Sequence, residues 1–214
     1  TRFADSPTTV LAAPEPSEAI ELPGVVEDTA VAASGDLWLL HFRSLRKVGL
    51  FDVAQGEIAR YLPLGDPQAV IAGGCDHVFV LSPSAGEVVR YRLPDLQREA
   101  SRKLPFGQIR AAALGFASHG PLLVADERGL RLLDAESLQV LPNGIGMPGG
   151  AVDAGGLAAS ADSGFFGLNG RGLATLLAYT PGAAATAVQS GGQLIVPSPL
   201  GQMMHGDLPR MTNL

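Results

Sequence analysis

Cysteine is all but missing from this 214-residue chain: Cys75 is the only one. A single thiol excludes an intrachain disulfide and any cysteine-rich metal site. Set between Gly74 and Asp76, it reads as a small turn residue, because a reactive thiolate needs a base beside it. Long apolar runs are missing too. No stretch approaches the ~18 uninterrupted apolar residues that a membrane-spanning helix requires. Charged residues make up only 17% and aromatics 6%, which argues against a bundle of solvated helices. There is no basic excess. The net charge is −6, which excludes the electrostatic footprint of a nucleic-acid binder. The first residue is Thr1 rather than Met, so the expectation is a chain cut from a longer precursor.

What is present is turn chemistry. Gly 27 and Pro 16, with 46% hydrophobic residues, suit many short strands joined by tight turns around one core. Residues 1–24 carry Pro7, Pro14, Pro16 and Pro23 among Ala, Ser, Thr and Glu. Proline at that density blocks helix and sheet hydrogen bonding, so this stretch reads as a semi-extended acidic linker. Its sharper reading is a peptide that docks through Val10–Leu11 or Ile20–Leu22. Residues 1–28 hold six acids against Arg2 alone; the acidity belongs to this leader, and the remainder is close to neutral.

From residue 25 onward a pattern repeats: an apolar run, a polar turn, a second apolar run. It occurs as AVAASGDLWLL (30–40), AVIAGGCDHVFVL (69–81), AAALGFASHGPLLVA (111–125) and LAASADSGFFGL (157–168), with a fainter fifth copy at LIVPSPLGQMMH (194–205). The second runs start at Leu37, Val78, Leu122, Phe165 and Gln202, spaced by 41, 44, 43 and 37 residues. Each pair is followed by two more strand-like runs, for example LRKVGLFDV and EIARYLPL. In the third unit these are Gly129–Leu133 and Ser137–Leu141, and in the fourth Gly172–Tyr179 and Ala184–Val188. Turn residues interrupt every 6 to 10 residues, and nothing sustains a 3.6-residue period, so helical repeats are excluded.

Four short strands in about 40 residues, repeated, is the period of a β-propeller blade. The expected fold is therefore all-β: four-stranded antiparallel blades at about 28–66, 67–107, 108–148 and 149–190, with a partial unit at 191–214. That makes about four and a half blades in the domain 25–214, an incomplete ring. Small first strands (AVAAS, AVIAG, AAALG, LAAS) suit the crowded axis. Bulky second strands, carrying Trp38, Phe79, Leu123 and Phe165–Phe166, suit packing between blades.

The lines LRKVGLFDVAQGEIARYLPL (45–64) and GEVVRYRLPDLQREASRKL (86–104) resemble the outer hairpins of WD-repeat-like or YVTN-like bacterial β-propellers. The resemblance covers roughly residues 25–206, without the Gly-His and Trp-Asp signatures of the eukaryotic repeat. It implies a binding scaffold, by analogy of fold.

Candidate chemistry is sparse. GIGMPG (144–149) matches G-x-G-x-x-G, but Pro148 and the following GAVDAGG cannot open the helix that a dinucleotide site needs; it reads as the crossover between the third and fourth blades. Asp36, Asp76 and Asp162 fall in equivalent inner-hairpin turns, with His77 and His119 beside such turns. Together they outline a possible ligand or cation site at an axial mouth. The plainer reading is Asp bonding its own turn. His41 and His205 lie at the opposite end of the second strand. Ten basic residues between 43 and 110 face seven acids. Arg43, Arg46, Lys47, Arg60, Arg90, Arg92, Arg98, Arg102 and Lys103 form a candidate docking surface for an acidic partner, or for the chain's own leader. Otherwise they are solvated faces that protect blade edges.

No coherent catalytic set emerges. The reading is a non-enzymatic, cofactor-free protein-interaction scaffold, without nucleic acid or membrane span, whose remaining blades come from a longer parent or another subunit. The alternative is a propeller enzyme or a small-molecule or metal sensor at the axial mouth.

Overall fold

The computed structural model describes residues 19–105, 107–142, 145–146, 156–170, 173–179, 188–190, 193–195 and 203–205. Four four-stranded antiparallel sheets follow one another along the chain. The first is β1 (Asp28–Ala32), β2 (Leu37–Phe42), β3 (Lys47–Asp52) and β4 (Glu57–Pro63), in that order. The second is β5 (Val70–Gly73), β6 (His77–Ser82), β7 (Glu87–Arg92) and β8 (Gln97–Lys103). The third is β9 (Ile109–Ala113), β10 (Leu122–Asp126), β11 (Gly129–Leu133) and β12 (Ile145–Gly146). The fourth comprises β13 (Leu157–Ala159), β14 (Phe165–Gly170), β15 (Leu173–Ala178) and, out of sequence, β18 (Met203–His205). A separate hairpin pairs β16 (Val188–Ser190) with β17 (Gln193–Ile195).

The first strands converge. β1 lies beside β5, β5 beside β9, and β9 beside β13, so the sheets fan out from one axis as blades of an open propeller. Their small residues are what allows it. A Cβ on Gly73 would run into the backbone carbonyl of Val31 and the Ala32 side chain, and one on Gly115 into the backbone of Ser160 and Ala161.

Each blade packs on the next through a separate apolar layer. Between blades 1 and 2 lie Leu37, Leu39, Val48 and Leu50 against Ile71, Val78 and Val80. Phe79, Leu81 and Val88 meet Leu122, Val124 and Leu133 between blades 2 and 3. Between blades 3 and 4, Leu123, Ala125, Leu130 and Leu132 enclose Phe166 and Leu168. A middle blade therefore buries both faces, which is why its strands read as continuous apolar runs rather than alternating ones.

The outer hairpins are set by Asp-capped turns. Asp52 Oδ1 accepts the Gln55 N–H at 2.9 Å, and Gly56 closes that turn at φ +68, a conformation glycine adopts without steric cost.

Two pairings differ from the sequence reading. In blade 3, Ser137–Leu141 was expected as the outer strand. Asp134 Oδ1 instead accepts the Ser137 N–H (2.7 Å) and hydroxyl (2.6 Å), which holds that segment in a turn. Pairing begins only at the Leu133–Val140 bridge and resumes where Ile145–Gly146, inside GIGMPG, pairs with Leu130 and Gly129. The rest of that motif lies outside the described residues.

In blade 4, the outer position was expected at Ala184–Val188, with 194–205 as an inner hairpin. Instead β18 pairs with β15, and β16 pairs with β17. Between Ser190 and Gln193 the sequence is Gly-Gly, a dipeptide favoured in two-residue hairpins, so this stretch folds on itself and leaves the edge of β15 to β18. Of the linker, residues 1–18 lie outside the described residues, and Ile20 and Leu22 are exposed rather than docked.

Candidate functional site

The fold gives the axis two mouths of different character. At one, the turns joining the first and second strands of the blades are laced together. Ala33 N–H bonds to Gly74 O, Ser34 N–H reaches Phe116 O, Cys75 N–H bonds to Ser118 O and Ala117 N–H to Ala161 O, all at 2.9 Å. Gly115 N–H adds a bond to the buried Ser163 hydroxyl at 2.8 Å.

The five residues proposed for an axial-mouth site lie at this laced end, and only three come together. Asp76 Oδ1 is 2.7 Å from His77 Nδ1 and 3.2 Å from His119 Nδ1. His77 Nε2 meets Glu99 Oε2 at 2.9 Å, and the same oxygen is 3.3 Å from Arg90 Nε. The result is a chain of polar contacts from blade 2 onto the turn of blade 3. Asp36 is exposed and apart from it. Asp162 serves its own turn, accepting the Ser160 hydroxyl (2.7 Å) and the Gly164 N–H (2.9 Å); these bonds, the hydroxyl's first, hold its carboxyl below the usual range. Cys75 Sγ lies 3.8 Å from the Ser34 hydroxyl. Among the described residues, no group of three or more His, Cys, Asp and Glu is arranged to hold a metal ion.

At the other mouth the axis opens into a cavity of about 930 Å³. Its walls are the small residues of the inner strands, among them Ala30, Ala72, Ala112 and Ala158, and its rim carries Asp28, Arg43, Asp66, Ser84 and Arg110. None of Asp36, Asp76, His77, His119 and Asp162 lines it.

Asp66 is the structural centre of this rim. It is buried and accepts the Ser84 hydroxyl (2.6 Å), the Ser84 N–H (3.0 Å) and the Gln68 N–H (2.9 Å). Burial pushes its pKa up, but those three bonds outweigh burial and leave it below the ordinary carboxylate value. Asp126 repeats the device in blade 3. Burial again opposes it, and the N–H groups of Arg128, Gly107 and Gly129 prevail.

His41, in β2, is fully buried, and neither ring nitrogen has a hydrogen-bond partner. Desolvation lowers its pKa, against the pull of Asp28. Apart from Arg43, no residue of this rim stands out in the sequence. The Asp66-Pro67 turn just before an inner strand was the one signal available for it.

The nine basic residues divide into three groups. Arg43 lines the cavity. Arg90 is a bolt between blades, donating to Ala135 O (3.0 Å) and Glu136 O (2.6 Å). These two therefore leave the outer surface: Arg90 from its place in β7 reaches the neighbouring blade, and Arg43 from the turn after β2 reaches the axis. Lys47 lies 3.8 Å over the Tyr61 ring, Arg92 pairs with Asp95 at 2.6 Å, Arg98 with Glu87 at 3.4 Å, and Lys103 Nζ donates to Ala85 O at 2.7 Å. Arg46, Arg60 and Arg102 are exposed. The last two sit on β4 and β8, the edge strands of adjacent blades.

This is the architecture of a WD-like β-propeller, and solved structures share it. Hydrazine synthase of Kuenenia stuttgartiensis superposes with a TM-score of 0.54 at 10% identity, over 88% of this chain and 53% of that one. U3-55K gives 0.56 at 10% identity, over 69% and 47%. The WD40 repeats of RRP9 give 0.52 at 12% identity, over 69% and 46%. At such identities the likeness concerns the fold, and the chain spans about half the length of these structures. No protein-family model and no curated protein matches the chain.

Proposed function

We propose that this chain is a non-enzymatic propeller module of the bacterial WD-like or YVTN-like kind. In this reading it serves as a protein-interaction scaffold, and further blades from the same polypeptide or another subunit complete its ring. The observation that carries the interaction role is the outer edge of blades 1 and 2. Here β4 and β8 present open strand edges next to exposed Arg60 and Arg102. An extended acidic segment suits such a surface, pairing main chain to main chain while its carboxylates meet the guanidinium groups.

Fluorescence anisotropy with a labelled oligoglutamate peptide tests this. Binding should weaken with salt and fall about tenfold or more in the Arg60→Glu, Arg102→Glu double variant, as expected when attractive charge becomes repulsive. An unchanged affinity in that variant sinks the reading.

A second reading, a small-molecule or metal sensor, has only the contacts among Asp76, His77 and His119 in its favour, and these are not arranged as a metal site. Zinc chloride in a thermal-shift assay separates the two. Stabilisation that disappears in His119→Ala supports a sensor, and no shift removes it.

A further inference from the structure

His41 is a titratable side chain buried where nothing serves its polar atoms. It lies on β2, 0% exposed, and neither Nδ1 nor Nε2 has a hydrogen-bond partner. Register puts it on the face that carries Leu39, Val48 and Leu50, in the layer between blades 1 and 2. A neutral imidazole left unbonded already costs free energy there. A protonated one, an ion in an apolar layer, costs far more.

The charges around the ring do not offset that cost. In β1, Asp28 stands opposite in register, but its Oδ1 takes the Thr29 N–H at 2.9 Å. Just before it, Glu27 donates its N–H to His41 O at 3.0 Å, while Glu27 Oε2 accepts the Arg43 N–H at 2.6 Å. Arg43 itself, in the turn after β2, repels a second positive charge. β3 and β4 bring Val48 and Leu62 alongside, with Arg60 exposed further along β4, and Lys47 lies on the other face, over Tyr61. From the side of blade 2, Asp66 is held by Ser84 and Gln68. Glu87 and Lys103, paired in register on the face of Val80, are taken by Arg98 and by Ala85 O. Desolvation, with Arg43, therefore prevails over Asp28 and Glu27, and the ring's pKa stays below its ordinary value.

We propose that His41 is a proton-operated latch on the entry of the chain into blade 1. On taking up a proton, the ring becomes an ion that the apolar layer cannot hold. It leaves for the cavity rim, where Glu27 gives up the Arg43 N–H and accepts the imidazolium instead. The clasp between Glu27 and Arg43 at the start of β1 then opens, and with it the part of the rim formed by Glu27, Asp28 and Arg43 is rearranged. Because the folded ring resists the proton, the unfolded chain binds it first. Stability is whole above the unfolded value of about 6.5 and falls as pH drops below it. The latch depends neither on the basic outer edge nor on what completes the ring.

Trp38 is the only tryptophan and lies on the same strand, so its fluorescence follows the urea unfolding of this blade. Titrations between about pH 7.5 and about pH 5.5 should show the unfolding constant rising by up to about tenfold per pH unit below about 6.5, the limit for one proton. His41→Leu should remove that slope. Where it fails to fold, His41→Gln, which keeps a polar group without the proton equilibrium, should remove it too. Amide hydrogen exchange in the wild-type chain, corrected for the intrinsic rate, tests the latch itself. Over the same range the Arg43 amide should lose several-fold more protection than the Ala33 amide, which is held by Gly74 O at the other mouth. An unfolding constant that does not change with pH, a slope that survives in the variants, or Arg43 and Ala33 losing protection in step overturns the proposal.

Discussion

The two faces of blade 1 are made from the same kind of residue and meet different fates. On one, Leu37, Leu39, Val48 and Leu50 are almost wholly inaccessible against blade 2. On the other, Trp38 and Tyr61 stand half in water. A strand written LWLLHF is apolar at every position but one, which is the pattern of a strand buried on both sides. The difference lies in what is placed next to the blade: on that same second face Leu40 and Phe42 are buried by the chain itself, while Trp38 and Tyr61 are not. The same contrast recurs along the axis: at one mouth the turns are laced together by backbone hydrogen bonds, while the other carries a rim of charged groups.

The largest expected effect comes from the covered faces. Phe79, 1% exposed, sits in the layer between blades 2 and 3, and Phe79→Ala should cost about 3–5 kcal/mol in lost transfer energy plus cavity. Trp38→Ala, measured in urea in the same way, should cost a small fraction of that, because Trp38 is 48% exposed. Equal losses for the two would break the comparison. Glycine sharpens it next. Gly73→Ala pushes a methyl against the Val31 carbonyl, and because backbone cannot yield cheaply the expected loss is about 2–3 kcal/mol. Gly167→Ala faces open space and should be neutral or slightly stabilising, through reduced freedom of the unfolded chain. Thermal melts of the pair, read side by side, check both signs.

Much of the blade order was legible because inner strands obey a simple steric rule. AVIAG and AAALG are small where β5 and β9 approach the axis, and Phe79 and Phe166 are large where blades meet. The starts read at Leu37, Leu122 and Phe165 coincide with β2, β10 and β14. Strand pairing at the outer edge was less legible. There the strands bury little, so turn chemistry decides register: Asp134 reshapes the edge of blade 3, and the Gly-Gly in the sequence between Ser190 and Gln193 is the signal for the β16–β17 hairpin.

The candidate sites were the least legible. That Asp76 meets His119, forty-three residues on, depends on how two turns interlock. That Asp66 bonds Ser84 depends on blade 2 bringing its turn under the rim. Spacing along a chain carries neither distance. The exposures of Trp38 and Phe165 were equally hidden, because composition does not reveal which blade stands at the end of an arc.

The smallest expected effect separates the two mouths by pH. Asp66 has a folded pKa below its unfolded value of about 4, set by the Ser84 and Gln68 bonds against burial. Its contribution is therefore fully present above that unfolded value and is lost as pH falls through the folded one. Asp66→Asn keeps one acceptor oxygen but forfeits the charge, so about 1–2 kcal/mol should be lost at neutral pH. The gap between variant and wild type should then narrow as pH drops below about 4. Asp162, at the laced mouth, is also held low by hydrogen bonds, yet it stands in water and ties down only its own turn. Asp162→Asn should leave the urea midpoint within error of wild type across the same range. If the two variants instead lost stability in parallel, the open rim would be no more organised by its buried carboxylate than the other mouth is by an exposed one.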